Sequence, residues 1–391
     1  MGQVMQFLTE ETKKEEDDQP SMDREVGLGF GHAGAGVTPT DMKALAERDA
    51  LDASRQAVLE DLEEKRKEDE TEATGEQKKS DQATAKPPAK VIPKITIVTG
   101  GAGFIGSHLI EKLNNRGTET ILLVDDLSHP DKLQNIKDLK FQDYADISKF
   151  PDLFMFMAEK EMVDCVYHMG ADSDVSSTDG KHMMDNNYQY TCNIMDICHM
   201  GRIPLVYASS SAVYGNQTKE WGNFDDKSDD YVPESYYALA KLQADRYSRK
   251  FMSQGPDKSK IIGLRYFNVI SDGKREQHKG DMKSATAWMK EQYDETGMIR
   301  LFKHSDDIYR DFVPIEGVVG MTVNAMTSGR SGIYNIGTGE SRSFLELALE
   351  IVDGDEEKIT YFKMPYDMQD RYQMFTQANM DNACFGIMSR P

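Results

Sequence analysis

The stretch that decides the fold is KITIVTGGAGFIG at residues 94–106, and the segment SHLIEKLNNRG follows it directly. The apolar, β-branched first half predicts a buried strand, and the segment after it has the apolar spacing of a helix. Gly100, Gly103 and Gly106 lie between the two elements. Glycines in this context allow a tight turn, close approach of the backbone to a pyrophosphate, and close packing of the helix on the strand. The stretch therefore predicts a dinucleotide-binding unit. The alternative is a glycine-rich turn with only a structural role.

The next apolar runs support the nucleotide interpretation. ILLVDD at 121–126 predicts a second strand that ends at Asp125, 19 residues after Gly106, where an acidic side chain can bind the adenosine ribose. Helical patterns separate further buried strands, which are predicted in DCVYHMGA (164–171), IPLVYASS (203–210) and KIIGLRYFNV (260–269). This alternation predicts an α/β protein with a Rossmann-type, doubly wound parallel sheet.

Composition narrows the class of protein. The 391 residues include 46 Lys and Arg against 67 Asp and Glu, and the net charge of −21 disfavours binding to nucleic acid or to an anionic membrane. No apolar run reaches the ~20 residues that span a bilayer, and the acidic N-terminus resembles neither a secretory signal nor a transit peptide. The 4 cysteines lack the spacing of zinc ligands. We therefore expect a reduced, cytoplasmic chain without a metal site.

Residues 1–90 differ in composition from the rest of the chain. They hold 22 acidic and 13 basic residues, and Phe7 and Phe30 are their only aromatic side chains. Because so little apolar surface cannot offset the chain entropy, we expect a largely disordered acidic extension and linker. The segment that starts at Thr40 is rich in helix formers and predicts a helix that is solvated or depends on an unknown partner. A folded domain at 91–391 is expected to follow.

Two motifs predict a catalytic centre. Tyr237 and Lys241 lie one helical turn apart on one face, so the ammonium would lower the pKa of the phenol and could hold a nicotinamide ribose. YASSSAVYG (207–215) leaves a strand at its carboxyl end, where doubly wound sheets place their ligands, and the hydroxyl of Ser210 can bind a substrate oxygen there. A Tyr and a Lys at this spacing are common on surface helices, so the prediction depends on both motifs together.

In chain order, GGAGFIG, SSSAVYG, the Tyr–Lys pair and RYFNV resemble the extended short-chain dehydrogenase/reductase superfamily. Longer segments, among them DNNYQY (185–190), HKGDM (278–282), IYNIGTGESRSF (333–344) and DRYQMFTQANM (370–380), are similar to the bacterial ADP-L-glycero-D-manno-heptose 6-epimerase family. The resemblance covers roughly residues 94–380.

This resemblance implies a chemistry. A bound nicotinamide cofactor takes a hydride from C6 of the heptosyl group of an ADP-heptose-type nucleotide sugar and returns it to the opposite face, which inverts the centre. NADP is the cofactor of the family, and NAD is the alternative here. The resemblance also implies a homo-oligomer, a pentamer, and a substrate-binding part formed mainly by 270–310 and 340–391.

The resemblance also assigns residues. Tyr237 and Lys279 match the two acid/base groups, with Ser210 and Lys241 beside Tyr237; without the motif, Lys279 would be interpreted as a surface charge. The implied cofactor contacts are Gly100, Gly103, Phe104, Ile105, Gly106, Asp125, Asp126, Lys132, Met169, Gly170, Ala171, Asp172, Ser173, Asn186, Lys241 and Val269. The implied substrate contacts are Ser210, Asn268, Asp281, Trp288, Phe302, Lys303, His304, Ser305, Arg310 and Tyr372.

Arg310 is a suitable ligand for the diphosphate because a guanidinium can engage phosphate oxygens in pairs. The alternative for this side chain is a surface ion pair with Asp311.

Four positions depart from the family's pattern. Asp126 and Ile147 stand where an Asn and a Lys are common, and both changes disfavour a 2′-phosphate, although Lys132 remains. Asp281 replaces a small hydroxyl residue and Trp288 replaces a His at substrate-contact positions. These two changes alter the charge and the hydrogen bonding next to the sugar.

Two other functions are compatible with the sequence. The first is another nucleotide-sugar enzyme of the superfamily. A 4,6-dehydratase is disfavoured because Ser211 and Ala212 stand where it needs carboxylates, and a 4-epimerase would not need Lys279. The second is a non-catalytic interaction protein that works through residues 1–90. The intact catalytic motifs argue against it.

Overall fold

A computed structural model describes residues 94–215, 231–252, 259–328, 330–366 and 372–380. Within these ranges, the central sheet consists of β1 (Ile95–Thr99), β2 (Ile121–Asp125), β3 (Asp143–Asp146), β4 (Val163–His168), β5 (Leu205–Ser210), β6 (Ile261–Tyr266) and β10 (Gly332–Ile336). All neighbours pair in parallel, in the order β10–β6–β5–β4–β1–β2–β3. The strand order reverses between β1 and β4, which is where such sheets bind their ligands. The predicted doubly wound sheet is confirmed.

Helices cover both faces of this sheet. The α-helices of the described ranges are α1 (Phe104–Asn114), α2 (Lys132–Ile136), α3 (Phe150–Glu159), α4 (Gly180–Met183), α5 (Tyr190–Met200), α6 (Tyr236–Met252), α7 (Ala285–Thr296), α8 (Ile315–Ser328) and α9 (Phe344–Ile351). Alternate residues of a strand point to opposite faces. Val98 of β1 accordingly packs in one apolar cluster with Leu109 of α1, and Ile97 packs in another with Phe154 of α3 and Ile194 of α5. This two-sided burial explains why β1 and β2 are mostly apolar, whereas the edge strand β3 is not.

A smaller part lies C-terminal to β6. It contains the three-stranded sheet β11–β9–β7, with β7 (Asn268–Ile270), β9 (Tyr309–Pro314) and β11 (Ser341–Ser343), and the parallel pair β8 (Ile299–Phe302) and β12 (Ile359–Phe362). A third apolar cluster, which includes Trp288 and Tyr372, fills this part. The run predicted as one strand at 260–269 is two strands. Its break is at Phe267, whose N–H donates to the Ile336 carbonyl at 3.0 Å.

Some sequence-based predictions fall outside the described ranges. These are the acidic extension, the helix predicted from Thr40, and the thiol of Cys384. Cys165, Cys192 and Cys198 are buried free thiols. Within the described ranges, no helix combines the length and the apolarity needed to cross a membrane.

Candidate active site

The glycine loop between β1 and α1 is a tight turn. Gly100 has φ +65°, and a Cβ there would lie 2.6 Å from the Cα of Gly170 in the segment after β4. A Cβ on Gly106 would lie 2.0 Å from the carbonyl oxygen of Gly100. Gly103 is the N-cap of α1 and gives the helix no side-chain cap, so the first N–H groups, at Phe104 and Ile105, are left for an anion. The loop therefore fits the pyrophosphate of a dinucleotide.

Asp125 ends β2 and lies buried beside this loop. Its Oδ2 accepts from the N–H of Ala102 at 2.8 Å, and its Oδ1 accepts from Lys132 Nζ at 2.7 Å. Asp126 is exposed, and hydrogen bonds from its own turn lower the pKa of its carboxyl. The N–H of Ile147 donates to the Asp125 carbonyl at 3.3 Å. Both residues that depart from the family's pattern on this side therefore neighbour the predicted ribose-binding acid.

The segment Met169–Ser173 follows β4, next to the glycine loop. The N–H of Asp172 donates to Asn187 Oδ1 at 2.9 Å, and Asn187 Nδ2 donates back to the Asp172 carbonyl at 2.8 Å. Asn186, a predicted cofactor ligand, donates to the same Asn187 oxygen at 2.9 Å. Both asparagines belong to a π-helix at Met184–Gln189, between α4 and α5. Such π-turns often mark functional sites, and no sequence signal predicts this one.

Ser210, Tyr237 and Lys241 come together at the carboxyl end of β5. Ser210 is the last residue of β5, and its hydroxyl is hydrogen-bonded to the phenol of Tyr237 in the first turn of α6. The ammonium nitrogen of Lys241 lies 5.9 Å from the centre of the Tyr237 ring and donates to the carbonyl of Ala208 at 2.8 Å. The predicted catalytic cluster is thus assembled by one strand end and one helix.

The pKa values in this cluster follow burial. Burial raises the pKa of Tyr237, and the hydrogen bond with Ser210 acts in the opposite direction. The prediction that Lys241 gives this phenol a lowered pKa is therefore wrong in its net direction. Burial lowers the pKa of Lys241 itself to about 8, and the carboxylate of Asp245 opposes that shift.

Lys279 lies in a short 3₁₀ segment, Gln277–Met282. Its Nζ is 5.2 Å from the centre of the Phe104 ring on α1 and 3.9 Å from Glu276 Oε2. The side chain is only 19% exposed. Burial lowers the pKa of this lysine, and the charge of Glu276 raises it. The alternative of an exposed surface charge is therefore wrong, and the predicted second base lies against the helix that begins at the glycine loop.

An apolar cavity occupies the C-terminal part. Four predicted substrate residues line it together with neighbouring apolar side chains: Trp288, Phe302, Ser305 and Tyr372. The Ser305 hydroxyl is buried and has no hydrogen-bond partner among the described residues, so it is available to a ligand. Lys303 and His304, from the same predicted loop, are exposed to solvent.

Arg310 of β9 is 5% exposed. Its guanidinium donates to the carbonyls of Tyr309, at 2.9 Å, and Gln373, and it is hydrogen-bonded to the phenol of Tyr372. Asp311 instead accepts from backbone N–H groups at 2.8, 2.9 and 3.0 Å. The alternative of a surface ion pair between Arg310 and Asp311 is therefore wrong. Because these partners of Arg310 are uncharged, its positive charge is available to an anion.

Three further predicted residues lie on the strand next to that of Arg310 or in the segment that contains Lys279. Asn268 and Val269 are half-buried in β7, which pairs with β9. Asp281 is half-buried in the 3₁₀ segment that contains Lys279.

Sequence reasoning missed a buried polar network beneath the catalytic cluster. Arg265 Nε donates to Asp245 Oδ2 at 2.7 Å, and its Nη1 donates to the Tyr214 hydroxyl at 3.0 Å. The hydroxyl of Tyr207 donates to the other carboxylate oxygen of Asp245 at 3.0 Å. Asp245 follows Lys241 by one helical turn, and that spacing is the signal that could have indicated it.

Comparisons with known proteins agree with this geometry. The family model described as "NAD dependent epimerase/dehydratase family" matches residues 96–337. ADP-L-glycero-D-manno-heptose-6-epimerase of Brachyspira hyodysenteriae is 40% identical over 287 residues, which are 73% of this chain and 89% of that protein.

Two solved structures have the same fold. The crystal structure of Helicobacter pylori ADP-L-glycero-D-manno-heptose-6-epimerase superposes with a TM-score of 0.62 at 28% identity, over 75% of this chain and 89% of that one. UDP-glucose 4-epimerase of Thermotoga maritima has a TM-score of 0.62 at 23% identity, over 76% of this chain and 94% of that one, which shows the fold alone. From the family match and the 40% identity, this chain belongs to the NAD dependent epimerase/dehydratase family and, within it, is a relative of ADP-L-glycero-D-manno-heptose-6-epimerase.

Proposed function

We propose that this protein converts ADP-D-glycero-D-manno-heptose into ADP-L-glycero-D-manno-heptose by inverting C6 through transient oxidation. The observation that supports this most is the cluster of Ser210, Tyr237 and Lys241 at the end of β5, in a chain that is 40% identical to a curated epimerase of that name. Lys279 lies against α1, which follows β1, and only β4 separates β1 from β5 in the sheet. The two candidate acid/base groups therefore lie on the side of the sheet where the parallel strands have their carboxyl ends.

The bound nicotinamide supplies the chemistry of accepting a hydride from C6 and returning it. The glycine loop and the start of α1 bind its pyrophosphate, and Lys241 holds the ribose next to the nicotinamide. Tyr237 exchanges a proton with the C6 oxygen in one orientation of the heptosyl group, and Ser210 donates a hydrogen bond to that oxygen. Lys279 exchanges the proton in the other orientation. Two groups on different elements suit a reaction that serves both faces of one carbon.

The C-terminal part would hold the nucleotide sugar. The buried guanidinium of Arg310 binds the diphosphate, because its carbonyl and phenol partners leave its charge uncompensated. Ser305 offers a buried hydroxyl to the substrate, and Trp288 and Tyr372 give the cavity its apolar walls.

Incubation with the substrate tests the proposal. Purified protein that carries its cofactor is incubated with ADP-D-glycero-D-manno-heptose, and chromatography follows the ratio of the two epimers. We expect a mixture of both, and conversion that is slower by about 10²–10⁴-fold with the matched variant Tyr237→Phe. Recovery of the starting epimer alone from the cofactor-loaded parent protein would overturn the proposal.

We propose NADP as the cofactor, with NAD as the alternative and only a small preference between them. Lys132, a predicted cofactor ligand, already donates to the carboxylate of Asp125 and to the carbonyl of Asp126. A 2′-phosphate would therefore compete with Asp125 for this lysine and would meet the negative charge of Asp126. Mass spectrometry of the denatured protein identifies the bound dinucleotide. A competition titration measures the preference between NADP and NAD. A strong preference for NADP would contradict the small preference that we propose.

Trp288 favours a second candidate, an epimerase of the same family that acts on a different nucleotide sugar. This indole is 4% exposed and occupies the cavity at a position where the heptose epimerases have a His. An indole fills more space than an imidazole and offers a donor but no acceptor. Parallel assays with UDP-glucose and with the ADP-heptose separate the candidates: conversion of UDP-glucose alone would establish the second.

We also propose that residues 91–391 form the catalytic domain, with substrate binding mainly by 270–310 and 340–391. The protein would be cytoplasmic, and residues 1–90 would contact a partner of unknown identity. It would form a homo-oligomer, a pentamer. Sedimentation equilibrium measures the number of subunits.

A further inference from the structure

We propose that Glu276 is a positioning residue for Lys279, because its buried carboxylate ties the ammonium of that lysine to the N-terminus of α7. The inference rests on the proposed function, in which Lys279 is an acid/base group. It concerns how that group is held and how strongly it keeps its proton.

Glu276 is fully buried and accepts hydrogen bonds at both oxygens. Its Oε1 accepts from the hydroxyls of Ser271, at 2.5 Å, and Ser284, at 2.8 Å. Its Oε2 accepts from the N–H of Ser284 at 2.6 Å and lies 3.9 Å from Lys279 Nζ. All of these partners donate, so the carboxylate acts as an ionised acceptor. A buried charge needs such partners, and Lys279 is the cation among them.

The same carboxylate reaches the substrate cavity through Ser284. This serine is the N-cap of α7, where its hydroxyl accepts from the N–H of Ala287 at 3.4 Å. Trp288, which lines the cavity, lies in the first turn of α7. Glu276 therefore links the proposed base to the helix that carries a proposed substrate residue.

The other side of Lys279 faces the cofactor-binding elements. The ring of Phe104 lies against its ammonium, and the guanidinium of the nearby Arg275 donates to the Glu111 carboxylate at 2.9 and 3.1 Å. Asn135 Nδ2 is 3.1 Å from His278 Nδ1 and donates to the carbonyl of Ala102 in the glycine loop at 2.8 Å. Lys279 is therefore held between the glycine-loop helix and Glu276.

The electrostatic consequence is specific to Glu276. Within the described part of the chain, other titratable groups lie on or next to this segment: Asp281, His278 with its neighbours Lys132, His129 and Asp131, and the pairs Arg275–Glu111, Lys274–Asp272 and Lys283–Glu291. Burial lowers the pKa of His278 to about 4, so it is neutral near pH 7 and cannot replace a lost charge. An opposite charge within ~4–6 Å shifts a pKa by roughly one to three units. Loss of the Glu276 charge should therefore lower the pKa of Lys279 by about that amount.

The experiment measures that pKa directly in the full-length, cofactor-loaded protein. Lysines are reductively methylated with ¹³C-formaldehyde and titrated by NMR, and Lys279→Met assigns the signal. Glu276→Gln keeps the shape of the side chain and removes its charge. Glu111→Gln is the matched control, because it neutralises another carboxylate that binds the same segment through Arg275. We expect the Lys279 pKa to fall by roughly one to three units in Glu276→Gln and to stay unchanged in Glu111→Gln.

The pH profile of epimerisation supplies a second measurement. The part of the pH–rate profile that depends on Lys279 should move to lower pH in Glu276→Gln by the same amount as the Lys279 pKa. A merely structural defect would instead lower the rate at every pH. An unchanged Lys279 pKa in folded Glu276→Gln would overturn the inference. If Glu276→Gln does not fold, Glu276→Asp withdraws the carboxylate by one methylene and should lower the pKa by less, and no shift there would overturn the inference.

The proposed function can fail separately. A shifted pKa in Glu276→Gln with a parent protein that does not convert the heptose would support the positioning role and reject the heptose epimerase.

Discussion

The ammonium of Lys241 donates to the carbonyl oxygen of Ala208 at 2.8 Å, and this bond holds the lysine beside Tyr237 at the end of β5. The side chain is 2% exposed, and burial lowers its pKa to about 8. Lys241 is therefore positively charged below about pH 8 and becomes neutral as the pH rises through that value.

We expect the epimerisation rate to fall as the pH rises through about 8, because the neutral amine would hold the cofactor ribose less strongly than the ammonium does. Lys241→Arg keeps its charge over this range and should lack this limb, although its rate will be lower. The measurement is the dependence of kcat on pH for both proteins. A limb at the same pH in Lys241→Arg would assign it to another group.

The two proposed acid/base groups predict a pattern of rates. Tyr237→Phe keeps the ring and Lys279→Met keeps most of the stem, so both variants should fold and retain the cofactor. Each should lose epimerisation by about 10²–10⁴-fold. The double variant should lose much less than the product of the two, because both groups act in one cycle. Lys274→Met is the matched control, since that ammonium is 83% exposed and its partner is Asp272.

Discontinuous assays measure the epimerisation rates of the variants, and quantification of the bound dinucleotide shows whether they retain the cofactor. Parent-like epimerisation by Lys279→Met together with an inactive Tyr237→Phe would reject the second base. A single-base sugar epimerase would then be the better description.

The buried pair of Arg265 and Asp245 predicts a large effect on stability. Arg265→Met leaves the Asp245 carboxylate buried without its cation, which typically costs about 3–5 kcal/mol in the free energy of unfolding. Lys140→Met removes an exposed partner of Glu119, with side chains that are 68% and 57% exposed, and should change stability far less. Denaturant unfolding of the variants measures both effects. Equal losses of unfolding free energy in Arg265→Met and Lys140→Met would show that burial does not set the strength of the Arg265–Asp245 pair.

Removal of residues 1–90 should leave the fold and the epimerisation intact. The prediction rests on the change in composition before Lys94 and on the family match, which begins at residue 96. Circular dichroism and the epimerisation rate of the 91–391 protein test it. If this protein were insoluble or unfolded, the acidic segment would belong to the domain.

The sequence predicted those parts of the molecule that depend on local patterns. The strands β1 and β2, the glycine loop and the shared face of Tyr237 and Lys241 follow from period, glycine spacing and helical geometry. The burial of individual side chains could not be predicted from such local patterns. The raised pKa of Tyr237 and the buried position of Arg310 depend on side chains that are distant in sequence.

Other features had no local signal. No pattern in the sequence predicts the burial of Glu276, whose carboxylate is enclosed by Ser271 and by Ser284 at the N-terminus of α7. The π-helix at Met184–Gln189 depends on contacts with α6 and with the segment after β4. Local patterns in the sequence therefore indicate which residues belong to the site. How these residues are held depends on tertiary contacts.

In the proposed reaction, the C6 hydrogen leaves as a hydride and returns within the same active site. The most direct test uses ADP-D-glycero-D-manno-heptose deuterated at C6, in ordinary water, with the cofactor-loaded protein. We expect the L-glycero product to keep its deuterium at C6 and the label to slow the reaction. Product that had exchanged its deuterium for hydrogen from water would contradict hydride transfer, because C6 would then have been inverted by removal and return of a proton.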